Sequence, residues 1–209
     1  MLAALEADTP PASPNAAESA NVSGVAQATQ LAHLTLAEWA VLGALGKTRS
    51  HGFALVKALA ARGEFGRIWS APTPVVYRAI NNLRAAGLIE TVGAEPSDAG
   101  PTRTLLGITS DGKRQLDRWL STPVAHMREV RGELLLKLAV LAHLNRKPDR
   151  LVAAQLKRFA PVLAALEARA LAEEGFDATL AEWRVESARS TIRFLKGLAE
   201  RPATNGLAR

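Results

Sequence analysis

From Leu34 onward, apolar residues recur at intervals of three and four, the spacing that lays one side of a helix against a core. Thr35-Leu36-Ala37-Glu38 opens the first such segment with the arrangement of a capping box, in which the hydroxyl accepts from the third amide and the glutamate reaches back. This predicts a helix to about Leu45, with Leu36, Trp39, Ala40, Leu42 and Gly43 inward. A second helix is predicted from a Ser50 cap, with Phe53, Leu55, Val56, Leu59 and Ala60 buried and Gly63 as its stop. Thr73 followed by Pro74 marks a third start, because proline fits the first helical position, where a missing donor costs nothing. Its inward stripe is Val76, Ala79, Ile80 and Leu83, and Gly87 ends it. Val75, Tyr77, Arg78, Asn81, Asn82 and Arg84 are left on or beside the outer face.

Residues 88–93 and 103–109 are short segments containing β-branched residues, separated by the turn-rich stretch 94–101, which predicts a hairpin with a long polar tip. Thr109-Ser110-Asp111-Gly112 opens a fourth helix, with Leu116, Trp119 and Leu120 on one side and Pro123 at its end. Residues 133–144 are apolar nearly all round, as expected of a helix buried on several sides. A long helix is expected from Arg150 to about Glu173, with Leu151, Leu156, Phe159, Leu163 and Leu166 as its stripe and a kink or break near Phe159 or Ala160 caused by Pro161. The last helix is expected to open at Thr179-Leu180-Ala181-Glu182, again with capping-box spacing. Leu180, Trp183, Ser187, Thr191, Phe194 or Leu195, and Leu198 then form a seam that fits a second long helix.

Composition narrows the possibilities. With 209 residues, 48% hydrophobic and 22% charged, the chain is long and apolar enough to bury a core. It has no cysteine, which excludes disulfides, thiolate metal sites and cysteine nucleophiles. No stretch approaches the ~18 apolar residues of a membrane span, so no membrane partner is expected. Residues 1–33 are rich in Ala, Pro, Ser and Asn and carry no Lys or Arg, the composition of a disordered tail and of neither a secretory nor a mitochondrial leader. A cytoplasmic location is the expectation. The tail has a net charge of −3, whereas residues 34–120 carry +4 and residues 121–209 carry +5. Positive charge confined to the folded part favours a polyanionic partner.

Catalytic signals are poor. Gly46-Lys47-Thr48 resembles the end of a phosphate-binding loop, but Val41 stands where the first glycine is needed and the segment joins two helices. His33, His51, His126 and His143 are scattered, with no metal-ligand spacing, and no Gly-x-Ser-x-Gly elbow occurs. The expectation is a protein that is not an enzyme and uses no cofactor and no metal. In contrast, three helices followed by a hairpin are the order of a winged helix-turn-helix, whose third helix enters the major groove while the hairpin lies along the backbone. Arg78, Asn81 and Asn82 have the donors and acceptors to read purine edges. Ser70, Thr73 and Tyr77 suit phosphate oxygens, as do Thr102 and Arg103 at the wing.

The residues from Leu34 to Leu120 resemble PadR-type transcriptional regulators. The likeness lies in Leu36-Ala37-Glu38-Trp39-Ala40-Val41-Leu42-Gly43-Ala44-Leu45, in His51-Gly52-Phe53-Ala54-Leu55, and above all in the run from Val76-Tyr77-Arg78 to Gly87-Leu88-Ile89. Residues 107–113 and 131–138 extend it, while the wing strand 103–107 departs from it in lacking an aromatic residue before the threonine. The resemblance implies a mainly α fold with a winged helix-turn-helix domain (34–122), a C-terminal helical dimerisation domain (123–201) and a free end (202–209). It further implies a homodimer that represses transcription from a palindromic double-stranded DNA operator, with Leu180, Trp183, Ser187, Thr191, Leu195 and Leu198 at the dimer seam. A small aromatic or amphipathic effector is a possible ligand, with Trp39, Trp119 and Trp183 as candidate pocket residues. The alternative from a different class is a winged-helix adaptor that binds protein and not specific DNA.

Overall fold

The computed structural model describes residues 34–96 and 102–201. The expected tail at 1–33, most of the wing tip and the end at 202–209 lie outside the described residues.

Helix α1 (Leu36–Leu45) begins with the expected capping box: Thr35 Oγ1 accepts from Glu38 N at 3.3 Å, and Glu38 Oε2 accepts from Thr35 N at 2.7 Å. Such a cap is worth about 1 kcal/mol. The second helix differs from expectation. Ser50 and His51 form a short strand, β1, and the cap of α2 (Gly52–Leu59) is His51, whose Nδ1 accepts from Ala54 N at 3.2 Å. Leu55 and Leu59 are buried, but Phe53 points outward and is 57% exposed, because the helix begins on the strand edge and turns that position to solvent.

Helix α3 (Thr73–Ala85) starts one residue earlier than expected. Pro72 is its N-cap and gives no side-chain cap, so Thr73 and Pro74 already lie inside the first turn. The expected inward stripe of Val76, Ala79, Ile80 and Leu83 is buried. Gly87 adopts φ +69°, which lets the chain reverse while Leu88 N donates to Leu83 O at 2.9 Å.

Strands β2 (Ile89–Glu95) and β3 (Arg103–Ile108) pair antiparallel with a register shift between Thr91 and Gly93, and β1 pairs with the other edge of β3, giving the order β1-β3-β2. Helix α4 (Ser110–Ser121) is capped by Thr109, whose hydroxyl accepts from Gly112 N and donates to Gly87 O at 2.8 Å, joining the end of α3 to the start of α4. A side chain at position 112 would place its Cβ 2.1 Å from Leu88 O, so the join requires glycine.

The C-terminal helices begin differently from the sequence pattern. A 3-10 turn (Met127–Glu129) and a π turn (Val130–Leu134) precede α5 (Leu135–His143). The wide turn directs Glu133 toward α4, where its carboxylate accepts from Trp119 Nε1 at 2.9 Å and pairs with Lys137 Nζ at 2.8 Å. Lys137 is almost wholly buried, also donates to Thr122 O at 2.7 Å, and sits over the Trp119 ring. Burial pushes its amine below the usual lysine value, outweighing the pull of Glu133. Alongside, Gly43 lets α1 approach α5 so closely that an added Cβ would lie 2.5 Å from Val140 Cγ2.

Helix α6 (Asp149–Ala170) runs through Pro161 unbroken; the proline is exposed, so the carbonyl it leaves unbonded faces water. Helix α7 (Gly175–Ala199) starts four residues before the expected capping box, leaving Thr179 inside the helix, and packs along α6. The described residues thus form a mainly helical protein with one small antiparallel sheet.

Candidate nucleic-acid interface

Successive residues of a helix turn by about 100°, so the buried stripe of α3 fixes where its other side chains go. Arg78 and Asn81 fall opposite the stripe and are exposed. Tyr77 and Arg84 fall on one flank, toward β1 and β3, and Val75 and Asn82 on the other, toward α1. Tyr77, Asn81, Arg84 and Arg103 meet around a cleft of about 300 Å³ between α3 and the wing, together with His51, Phe53 and Thr104. Asn82 does not join them: its Nδ2 donates to Glu38 Oε1 at 2.9 Å. Through Glu38 the recognition-like helix is tied to the capping box of α1, which orients α3 and occupies one end of the amide. Thr73 and Ser70 are exposed at the start of α3 and Val75 is half-buried beside it, while Thr102 and Arg103 are exposed at the loop end of the wing, where Arg103 pairs opposite Glu95. The described side chains of α3 include two arginines and no acid.

Residues 41–118, which include α3 and the wing, match the model of the "Transcriptional regulator PadR-like family". This segment, from α1 to α4, is therefore similar to PadR-like transcriptional regulators. The matched segment has the winged-helix arrangement of helices and a small antiparallel sheet. Bacillus subtilis PadR in complex with operator DNA is similar at 20% identity, covering 78% of this chain and 97% of that one, with a TM-score of 0.40. The protein smu.1604c from Streptococcus mutans UA159 is similar at 17% identity over 78% and 98%, with a TM-score of 0.37. Bacillus subtilis PadR in complex with p-coumaric acid is similar at 20% identity over 78% and 93%, with a TM-score of 0.35. Among curated proteins none matches this chain significantly.

In this PadR-like chain the three candidate pocket tryptophans do not share one surrounding. Trp39 and Trp119 are buried and stack face to face, with centroids 4.7 Å apart and planes 7° from parallel, which leaves no slot between them. Trp183 is 65% exposed on α7. A separate cavity of about 490 Å³ opens beside α5 and α7, with Leu135, Leu138, Phe194 and Leu198 on its apolar side and Lys47, Arg67 and Arg201 among its polar lining.

The six seam residues of α7 also divide. Leu195 and Leu198 are buried within the protomer, Leu180, Ser187 and Thr191 are partly exposed, and Trp183 stands out into solvent. Sequence reasoning missed His51 as a neighbour of this interface, since its role as a cap and strand residue depends on β3, and it missed the Glu38–Asn82 bond, which joins residues 44 apart.

Proposed function

We propose that this PadR-like regulator acts as a homodimeric repressor that binds a palindromic DNA operator. The observation that carries the reading is α3 itself, which presents Arg78 and Asn81 outward from a fully buried stripe, flanked by Tyr77, Arg84 and Arg103. Arg78 and Asn81 are assigned to base edges, the arginine to guanine and the amide to adenine. Ser70, Thr73, Val75, Tyr77, Arg84, Thr102 and Arg103 are assigned to the sugar-phosphate backbone alongside. Asn82, tied to Glu38, is assigned a positioning role and not base reading.

The functional division is winged helix to residue 122 and dimerisation helices to residue 201. Leu171, Phe176 and Trp183 leave a large apolar surface on the α6–α7 hairpin that a second copy would cover, with Leu180, Ser187 and Thr191 beside it. Leu195 and Leu198 hold α7 to its own protomer. The two-fold axis would set half-sites one helical turn apart, ~34–36 Å. The cavity beside α5 and α7 has the size, the apolar floor and a rim in which Lys47, Arg67 and Arg201 outnumber Glu64, features that suit an amphipathic anionic effector. We place the protein in the cytoplasm, where its DNA is.

The test is footprinting on the promoter DNA of its own and neighbouring genes. Arg78→Ala and Asn81→Ala are expected to weaken binding and relax sequence preference, whereas Arg103→Ala lowers affinity for all sequences alike. Unchanged footprints for both classes would overturn the assignment of α3.

A further inference from the structure

We propose that the cleft between α3 and the wing seats a DNA backbone phosphate, and that His51 is the residue that donates to it. The inference rests on the DNA-binding reading above and adds a contact that neither the helix pattern nor the charge assigns. Three observations converge. The Nδ1 of His51 accepts from Ala54 N at 3.2 Å, so the neutral ring must carry its proton on Nε2, and the cap of α2 fixes the tautomer as well as the ring. The backbone of His51 is held in turn by pairing opposite Leu105 of β3, so the ring is positioned by two elements. Finally, the ring lines a cleft whose charged walls, Arg84 and Arg103, are both cationic, and whose other donors include the Tyr77 hydroxyl and the Asn81 amide.

Gly52 completes the arrangement. An added Cβ there would lie 3.0 Å from Tyr77 Cε1, so the tyrosine ring rests against the first turn of α2 beside His51. A phosphate oxygen entering this cleft meets an imidazole N–H donor held in place before binding, with two guanidinium groups to balance its charge. Such a contact strengthens binding to every sequence equally.

His51→Ser separates the two roles of the ring, because serine is a good N-cap but has no donor that reaches the cleft. The expected result is a thermal midpoint close to that of the native protein, with affinity for operator and random duplex both reduced by the same factor, about tenfold or more. Native affinity for both duplexes would overturn the proposal and leave His51 a cap only. The native protein with ¹⁵N-labelled histidine supplies a check independent of mutation. The His51 ring resonances should shift on adding a duplex of either sequence and stay in place with inorganic phosphate at matched ionic strength. No shift with a duplex that is bound would overturn the contact, and an equal shift with inorganic phosphate would make the cleft a free-anion site instead. If the native protein binds no duplex at all, the DNA-binding reading fails and this proposal with it.

Discussion

The winged-helix half and the α6–α7 hairpin are built from the same kind of amphipathic helix, yet they end in opposite surfaces. In the first half α1, α3 and α4 enclose their apolar stripes, α2 leaves only Phe53 outside, and what remains outside α3 is Arg78, Asn81, Arg84 and a tyrosine beside a cationic cleft. In the hairpin, Leu171 is 91% exposed, Phe176 79% and Trp183 65%. A helix with a core on one side can leave its other side polar, whereas these three side chains have no core to enter within the protomer. One region is finished for a polar partner such as a nucleic acid, and the other is unfinished until something apolar covers it.

The contrast can be broken most severely at the hairpin. Trp183→Glu is expected to leave a folded monomer in sedimentation and to reduce operator affinity by roughly a hundredfold or more, because two linked recognition helices become one. If the variant remains a dimer with native affinity, the hairpin is not the interface. Next in size is the join between the halves. Lys137→Met leaves Glu133 and the Thr122 carbonyl without their ammonium partner and is expected to destabilise folding by about 2–4 kcal/mol in urea melts. Because burial lowers the Lys137 pKa from its ordinary 10.5, the unfolded chain binds the proton more tightly than the folded one. The stability that this site contributes is therefore full above pH 10.5 and falls as pH drops through the folded value. The native protein should gain on Lys137→Met as pH rises toward 10.5, and a constant gap would contradict that sign.

Smaller effects sharpen the account of α3. Arg78→Ala should cost about 1–3 kcal/mol of operator binding with less discrimination among sequences, read by competition with random DNA. Asn82→Ala should leave that discrimination intact while lowering stability by about 1 kcal/mol, since the bond it removes goes to Glu38. Loss of specificity in Asn82→Ala equal to that in Arg78→Ala would return Asn82 to the base-reading face.

What could be read from the chain beforehand was local. The Thr35–Glu38 box, the 76, 79, 80, 83 stripe, the Gly87 stop and the Thr109 cap are each set by residues within a turn or two, and the structure has all four. The failures involve distant partners. Ser50 is taken from helix capping by pairing with Leu106, and the bond from Asn82 to Glu38 could not be foreseen from spacing along α3. At α5, a π turn replaces the expected helical start so that Glu133 meets Trp119 and Lys137. In α7, periodicity grouped Leu195 and Leu198 with Trp183, but spacing along one helix does not reveal which part packs on its own protomer. Arg78 and Arg103 were legible because an exposed cation on a helix flanked by a wing needs no distant partner to be noticed.

The central claim is that the surface around α3 is a DNA-binding one, and the most direct test is a mobility shift across a salt series with promoter DNA of its own and neighbouring genes, random DNA serving as competitor. The account predicts a shift that resists random competitor and weakens steeply, on the order of a thousandfold between about 50 and 200 mM salt if six or more phosphates are contacted. Absence of binding to any duplex at low salt would contradict it and favour a winged-helix adaptor that binds protein.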